Sequence, residues 1–210
     1  MKRAVDHIVY GVPDLKFGIE YFKEKLGIAP VFGGYHKTQG TKNALLNLSD
    51  ECYLEVIAID HDNLDVQQDR WMGIDLLESP KLIRWAIKSD NLQNDQIILR
   101  KYHPEMGKIW PGSRQTASGG LLQWELIMPL SEPEVEVVPF ALDWSQSDMH
   151  PTEVLESTPF KLNEIRLTHP EPAKIDQLLH ELNVEAQVVE GTTPIIQAQL
   201  QGPDGFLIVI

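Results

Sequence analysis

The feature that most constrains how this chain can fold is an order of elements, strand–helix–strand–strand–strand, that its residue patterns repeat. Residues 1–60 show this order first, residues 158–210 repeat it compactly, and residues 81–145 can be divided in the same way. Repeated units of this kind bury their apolar faces against one another, so the repeat constrains the fold more than any single local pattern does. We therefore predict an α+β protein of three βαβββ modules, joined by linkers at 61–80 and 146–157.

Local signals are clearest in the first module. β-branched and aromatic residues dominate two runs without proline, at 6–12 and 53–59, and these runs predict strands. Between them, Asp14 is typical of a helix N-cap, and Gly27 is typical of the residue that ends a helix. At the other end of the chain, burial of the apolar run 206–210 would contribute about 1.5–3 kcal/mol per side chain. We predict that this run is a strand inside a sheet.

Composition narrows the classes of partner. The chain has 18 Lys and Arg against 31 Asp and Glu, a formal charge of −13, which repels phosphate backbones and anionic membranes. The single cysteine, Cys52, excludes an intrachain disulfide and fits a reducing compartment. No apolar run approaches the roughly 20 residues of a membrane span. We expect a cytoplasmic protein that binds a small molecule, with no nucleic acid and no membrane as partners. Its oligomeric state is open, with a homodimer as the candidate assembly.

One carboxylate is the sharpest anomaly in the sequence. Glu55 lies in the middle of a predicted strand whose other residues on the same face are apolar, and such a carboxylate is costly unless a cation or a donor meets it. The alternation of strand residues places His7 on the same face, away from the predicted helix. We predict that the two side chains converge on one cavity. In the alternative, Glu55 pairs with Arg84 or Arg114, and His7 is a structural histidine.

Other side chains are candidates for the same cavity. His36 follows two glycines, where it could be a pocket-mouth residue, a metal ligand or a general acid–base group. Asn43 either satisfies loop backbone groups or touches a ligand. The forked guanidinium of Arg114 suits a ligand carboxylate. Trp124 and Trp144 belong to the core or to a pocket wall.

These residues resemble the vicinal oxygen chelate superfamily, and more narrowly its glyoxalase-like branch. The resemblance covers nearly the whole chain and implies the glyoxalase/bleomycin-resistance/dioxygenase-like fold, in which paired modules curve a sheet around a cavity. The matching residues are Asp6-His7-Ile8-Val9, Val12, Asp14-Leu15, Gly33-Gly34, His36, Gly40-Thr41, Asn43, Leu45, Tyr53-Leu54-Glu55-Val56-Ile57, Arg114, Gly120-Leu121-Leu122-Gln123-Trp124, Pro139-Phe140, Asp143-Trp144, His150-Pro151 and Pro203-Asp204-Gly205-Phe206.

The resemblance also implies a metal site. In the superfamily, His or Glu residues on the first and fourth strands of paired modules hold a divalent metal. Carried over by position, His7 and Glu55 are ligands in the first module, and Glu164 stands at the first-strand position of the last module. Arg84 stands near that position in the middle module and cannot ligate a metal, and the last fourth-strand position falls near the apolar Val209. The implied metal is Zn, Ni, Mn or Fe, unless the protein binds none.

Three functions are compatible with these residues. In the first, a metal on His7 and Glu55 polarises a carbonyl group, as in a metal-dependent lyase, isomerase or dioxygenase. In the second, the protein binds or sequesters a small molecule without metal. In the third, a metal-free enzyme uses Glu55 as its base and His36 as its acid. The pairing of the modules is a further open point, with modules one and two favoured over one and three.

Overall fold

The structure is a computed structural model that describes residues 2–49, 52–67, 69–115 and 121–210, without the side chains of residues 114 and 115. Its mixture of strands and helices confirms the predicted α+β class. In chain order the described residues form β1 (Val5–Gly11), α1 (Leu15–Leu26), β2 (Val31–His36), β3 (Thr41–Asn47), β4 (Tyr53–Ile59), a 3₁₀ helix (Trp71–Leu76), β5 (Lys81–Lys88), α2 (Leu92–Tyr102), β6 (Ile109–Gln115), β7 (Leu121–Ile127), β8 (Phe140–Asp143), α3 (Pro151–Val154), β9 (Lys161–His169), α4 (Pro172–Glu181), β10 (Gln187–Glu190), β11 (Ile195–Gln201) and β12 (Leu207–Val209). None of the described helices has the length and apolar character needed to cross a membrane.

An eight-stranded sheet of order β2-β3-β4-β1-β5-β8-β7-β6 forms the larger part of the fold. Strands β1 and β5 run antiparallel at its centre, and each runs parallel to the last strand of its own unit, β4 or β8. The two halves therefore have the same strand order about the central pair. The pairing joins the first and second predicted units in one sheet.

Helix α1 covers one face of this sheet and leaves the other face for the site. Asp14 caps the helix by accepting a hydrogen bond from the backbone N–H of Phe17, and Gly27 ends it with a left-handed φ of 75°, as predicted. The helix lies so close to β4 that a Cβ at Gly18 would come within 2.5 Å of Val56. Side chains that alternate with Val56 on β4 consequently point to the face away from the helix.

The last unit repeats the order of elements but not the pairing. Its four-stranded sheet has the order β10-β9-β11-β12, so its first strand, β9, pairs with β10 and β11 and does not pair with the final strand. The predicted terminal strand is present as β12, but at the edge of this sheet, where Leu207 and Val209 remain about half exposed. The apolar burial that it contributes is therefore smaller than an interior strand would give.

Candidate functional site

A small cavity on the face of the large sheet away from α1 brings together most of the predicted site residues. Its volume is about 40 Å³, which is on the scale of one or two water molecules or one small chemical group. We call it the inner cavity. It is lined by His7, His36, Asn43, Leu45, Tyr53, Glu55, Trp71, Met72, Trp124, Leu126, Phe140, Leu142, Trp144 and Pro151.

An outer cleft of about 760 Å³ adjoins the inner cavity, and the two share His36, Trp71, Trp124 and Leu126 as lining residues. The cleft lies between the β2–β3 hairpin and the β6–β7 hairpin, and its walls include further aromatic side chains. A ligand could therefore place a small polar end in the inner cavity and a larger apolar part in the outer cleft.

The predicted convergence of His7 and Glu55 is observed. Both side chains are buried, and the Nε2 atom of His7 lies 3.5 Å from the Oε2 atom of Glu55. The ring of His7 stacks on Tyr53 at 4.6 Å and meets Phe140 edge-on at 5.4 Å. Among the described residues, the Nε2 atom of His7 has no hydrogen-bond partner. A buried polar atom left in this state is costly, which favours a bound group at this point.

Glu55 is held in place by an amide. The Nδ2 atom of Asn43 donates a hydrogen bond of 2.7 Å to Oε1 of Glu55, and the Nε2 atom of His36 lies 3.8 Å from the same oxygen. The amide oxygen of Asn43 is a second buried polar atom without a hydrogen-bond partner in the described part of the chain. Asn43 therefore orients Glu55 and lines the cavity, whereas one of the two roles considered from the sequence was only to satisfy loop backbone groups.

His36 stands where the inner cavity opens into the outer cleft. Its Nδ1 atom lies 3.0 Å from the hydroxyl of Thr41, and the indole N–H of Trp71 donates to that hydroxyl at 3.0 Å. The edge of its ring also faces Trp71, with the centroids 5.0 Å apart. These contacts direct the other ring nitrogen, Nε2, toward the Asn43 amide nitrogen at 3.4 Å and Oε1 of Glu55 at 3.8 Å. Trp71 was not recognised as a site residue from the sequence, because it lies in a segment that was predicted to be a linker.

Asp6 is the main residue that the sequence reasoning missed. Its carboxylate is fully buried, with Oδ1 2.6 Å from Nδ1 of His7 and Oδ2 3.1 Å from Nε2 of His150. The indole N–H of Trp144 also donates to Oδ2, at 2.8 Å. Burial raises the pKa of the Asp6 carboxyl, but the hydrogen bonds from His150 and His7 outweigh this effect and hold the pKa well below its usual range. Asp6 is therefore ionised at neutral pH.

A β-bulge explains why the alternation of residues did not reveal Asp6. Neighbours in a regular strand point to opposite faces, so Asp6 would be expected to point away from His7. The β1–β5 register shifts between Val5 and His7, which leaves Asp6 as the extra residue. Such a bulge turns the side chain of the extra residue, and here the carboxylate contacts His7.

Trp124 and Trp144 form one wall of the inner cavity, with their rings 5.2 Å apart. Strand β6 approaches Trp124 so closely that a Cβ at Gly112 would lie 2.3 Å from the indole. A side chain at that position would displace Trp124 from the wall. Trp144 also anchors Asp6, so it belongs both to the wall and to the support of His7.

The two arginines considered as partners of Glu55 have different outcomes. The guanidinium of Arg84 donates to the backbone oxygens of Ile83, Leu130, Pro133 and Glu134, so the predicted alternative of an Arg84–Glu55 pair is wrong. Burial lowers the pKa of Arg84 to about 10. The predicted ligand contact of Arg114 lies outside the described side chains.

The strand register identifies the positions in the second half that correspond to His7 and Glu55. His7 and Ala86 pair directly across β1 and β5. Glu55 lies two positions beyond the residue that pairs with His7, and Leu142 lies two positions beyond the residue that pairs with Ala86. The counterparts are therefore Ala86 and Leu142, which carry no donor atoms. Position along the predicted strand placed Arg84 near the first of these positions, two residues before Ala86, which the observed register identifies.

The structure does not bring Glu164 to this site. Glu164 lies on β9 of the second sheet, where its carboxylate is 4.0 Å from Arg166. It lines a different cleft, together with residues such as Leu48 and Glu185. The predicted combination of His7, Glu55 and Glu164 as ligands of one metal is therefore not formed.

The donor set does not fit the metal site that the resemblance implies. The 3.5 Å between His7 Nε2 and Glu55 Oε2 is close to the roughly 3.3–3.4 Å that separates two ligands of a tetrahedral metal with bonds of about 2.0–2.1 Å. However, catalytic zinc sites generally have three protein ligands, and the described residues contain no group of three or more His, Cys, Asp and Glu side chains arranged to hold a metal ion. The two remaining positions are hydrocarbon.

Comparisons with known proteins agree with the topology. A family model described as a glyoxalase-like domain matches residues 5–183, which include every strand of the large sheet. The comparison with curated proteins gives no match. A solved structure of a hypothetical protein from Staphylococcus aureus is 13% identical, with a TM-score of 0.67 over 98% of this chain and 97% of that one, and it supports the fold alone.

Two solved structures of methylmalonyl-CoA epimerase have lower TM-scores. The enzyme from Mycobacterium tuberculosis is 18% identical over 66% of this chain and 85% of its own, with a TM-score of 0.40. A variant of the enzyme from Streptomyces coelicolor, in complex with 2-nitronate-propionyl-CoA, is 14% identical over 69% and 99%, with a TM-score of 0.44. Similarity at this level supports no inference about the ligand of this chain.

Proposed function

The chain belongs to the glyoxalase-like domain family, within the vicinal oxygen chelate superfamily, and on that premise we propose that it is an enzyme of metal-free proton transfer. Its substrate would be a small carbonyl compound, and the proton would leave the carbon next to the carbonyl group. The observation that carries this proposal is the buried Glu55 carboxylate, which Asn43 orients and which faces a cavity between two histidines.

Glu55 is the proposed base. One of its oxygens accepts the Asn43 hydrogen bond, and the other lies beside the unpartnered His7 Nε2 atom at the inner cavity. A carboxylate fixed in this way can take a proton from a carbon acid without first being reoriented. The C–H electron pair then moves into the enolate, and Glu55 becomes protonated.

His36 is the proposed acid. Its Nε2 atom lies on the same side as Oε1 of Glu55, at the boundary of cavity and cleft, where a substrate oxygen can reach it. In its imidazolium form His36 carries a proton on Nε2, and transfer of that proton would neutralise the enolate oxygen as the enol forms. Glu55 then returns its proton to carbon while the enol hydroxyl gives its proton back to His36, which restores the carbonyl group and both residues. Delivery to the neighbouring carbon of a 2-hydroxycarbonyl substrate, with the hydroxyl proton passing to His36, would complete an isomerisation.

Deuterium exchange tests this proposal across a range of candidate substrates. The protein is incubated in D₂O with a panel of small aliphatic and aryl-substituted carbonyl compounds, and the loss of the proton next to the carbonyl is followed by NMR. We expect exchange for at least one compound, and a loss of about 10²–10⁴-fold in Glu55→Gln with binding retained. The matched control is Glu20→Gln on the exposed surface of α1, which keeps the rate of the unaltered protein.

A second candidate, a binding protein without turnover, is favoured by one observation. Ala86 and Leu142 occupy the two positions where the resemblance implies ligands, so the second half of the sheet contributes apolar wall and no catalytic group there. Saturable binding without exchange for any compound would support this candidate over the enzyme. Absence of both binding and exchange across the panel would contradict both.

A further inference from the structure

The Asp6 carboxylate connects His7 to a part of the chain far away in sequence. Its Oδ1 atom contacts His7, and its Oδ2 atom contacts Trp144 and His150, which lie after β8. The three partners leave no water-facing surface on the carboxylate, since Asp6 is fully buried. This arrangement therefore fixes both oxygens of Asp6 relative to the inner cavity.

The hydrogen bonds at His150 define where its proton lies. His150 is the N-cap of α3, and its Nδ1 atom accepts from the backbone N–H of Thr152 at 3.3 Å. The proton of a neutral His150 is consequently on Nε2, from which it is donated to Asp6. The indole N–H of Trp144 can only donate, so Oδ2 accepts two hydrogen bonds, one from Trp144 and one from His150.

The same reasoning applies to His7. An ionised carboxylate can only accept, so Nδ1 of His7 must donate to Oδ1 across the 2.6 Å contact. A neutral imidazole has a single N–H, which leaves a lone pair on Nε2. That lone pair points to the inner cavity, in agreement with the missing hydrogen-bond partner of Nε2 within the described chain.

Resting on the proposed function, we propose that Asp6, anchored by His150 and Trp144, is a positioning residue that holds His7 in the Nδ1–H tautomer. The Nε2 atom of His7 then accepts a hydrogen bond from a donor group of the bound molecule beside Glu55. Asp6 acts by orientation and does not take up the proton, in the way that the buried aspartate of a catalytic triad orients its histidine. The depressed pKa of Asp6 agrees with this role.

Nitrogen NMR of the histidine rings tests the proposal on the full-length protein without a ligand. In ¹⁵N-labelled protein at neutral pH, we expect His7 to show a protonated Nδ1 and a bare Nε2. The opposite tautomer, or equal populations of the two, would overturn the proposal. This measurement does not depend on turnover, so it remains decisive even if no compound shows deuterium exchange.

Variants separate positioning from a purely structural role. In Asp6→Asn the amide oxygen can still accept from Trp144 and His150, but the amide nitrogen that then faces His7 can only donate. We therefore expect His7 to change to the Nε2–H tautomer. Deuterium exchange of a substrate that the unaltered protein acts on should fall by roughly 10⁴-fold, as for the same change in a serine-protease triad. Asp14→Asn is the matched control, because asparagine caps a helix as well as aspartate does. It should retain the His7 tautomer of the unaltered protein.

If Asp6→Asn does not fold, His150→Phe provides the second test. Loss of the His150 hydrogen bond lets the Asp6 carboxylate turn away from His7 in part of the molecules, while the Trp144 hydrogen bond keeps the contact in the rest. We therefore expect a folded protein in which His7 shows a mixture of tautomers. A His7 spectrum identical to that of the unaltered protein in every folded variant of Asp6 and His150 would contradict the proposal.

Discussion

Placing metal ligands at Ala86 and Leu142 would test the register argument directly. Ala86 pairs with His7. On the neighbouring parallel strand, Leu142 has the same register offset from Ala86 that Glu55 has from His7. The double variant Ala86→His/Leu142→Glu should therefore present two imidazoles and two carboxylates to one point. The unaltered protein, with two of these four donors, should show no stabilisation by zinc.

The expected magnitude follows from opposing effects. Ala86 is fully buried, so a histidine there overpacks the sheet at a cost of about 1–3 kcal/mol, and the new carboxylate adds the cost of a buried charge without a partner. The metal-free double variant should thus be less stable than the unaltered protein. Zinc at 100-fold above its Kd should restore about 2.7 kcal/mol, or roughly 5–11 °C in Tm for a chain of this size.

Thermal unfolding with added zinc, and again with excess chelator, measures this effect. The same double variant in a His7→Ala background is the control and should lose most of the zinc-dependent shift. A folded double variant without any zinc-dependent shift would refute the register assignment. An equal shift in the unaltered protein would show that His7 and Glu55 suffice for a metal, and it would also count against the metal-free proposal.

Two further predictions concern stability. The pKa of Asp6 is lower in the folded than in the unfolded protein, so Asp6 contributes to the free energy of unfolding above the unfolded value of about 3.9, and this contribution is lost as pH falls toward the folded value. Urea unfolding of Asp6→Asn should therefore show a weaker loss of stability below about pH 4 than that of the unaltered protein. An equal pH dependence in the two proteins would contradict this prediction. In Gly18→Ala, a gain in helix propensity of about 1 kcal/mol is opposed by overpacking of about 1–3 kcal/mol, because the new Cβ would lie 2.5 Å from Val56. We expect a net loss of about 1 kcal/mol in the free energy of unfolding. A more stable variant would show that the helix can move away from β4.

The parts of the site that sequence reasoning predicted are those that depend on regular alternation. His7 and Glu55 lie on strands whose period of two places both on the face away from α1, and they meet there although they are far apart in sequence. Asp6 escaped this reasoning because a β-bulge interrupts the period at that residue. Bulges commonly lie next to functional sites, but the sequence contains no glycine or proline at this point to indicate one.

Pairing between strands was less predictable than the order of the strands. The elements of the last unit follow the predicted order, yet β9 pairs with β10 and β11, whereas β1 pairs with β4 in the first unit. The apolar pattern of each strand is compatible with either arrangement, because it determines which face is buried and leaves the neighbour undetermined. For this reason the sequence reasoning placed Glu164 in a metal site with His7 and Glu55, whereas Glu164 lies on β9 in the other sheet.

The two halves of the large sheet contribute different chemistry to one cavity. The first half supplies Glu55, His7 and Asn43, whereas the facing side chains of the second half include Phe140, Leu142 and Trp124. Apolar groups in place of two metal ligands reduce the number of polar groups around the cavity and lower the local dielectric constant. Electrostatic interactions between a bound molecule and the Glu55 carboxylate are stronger in such surroundings than in water. The presence of Ala86 and Leu142 at these two positions therefore favours the proposed catalysis by a fixed carboxylate and an oriented histidine.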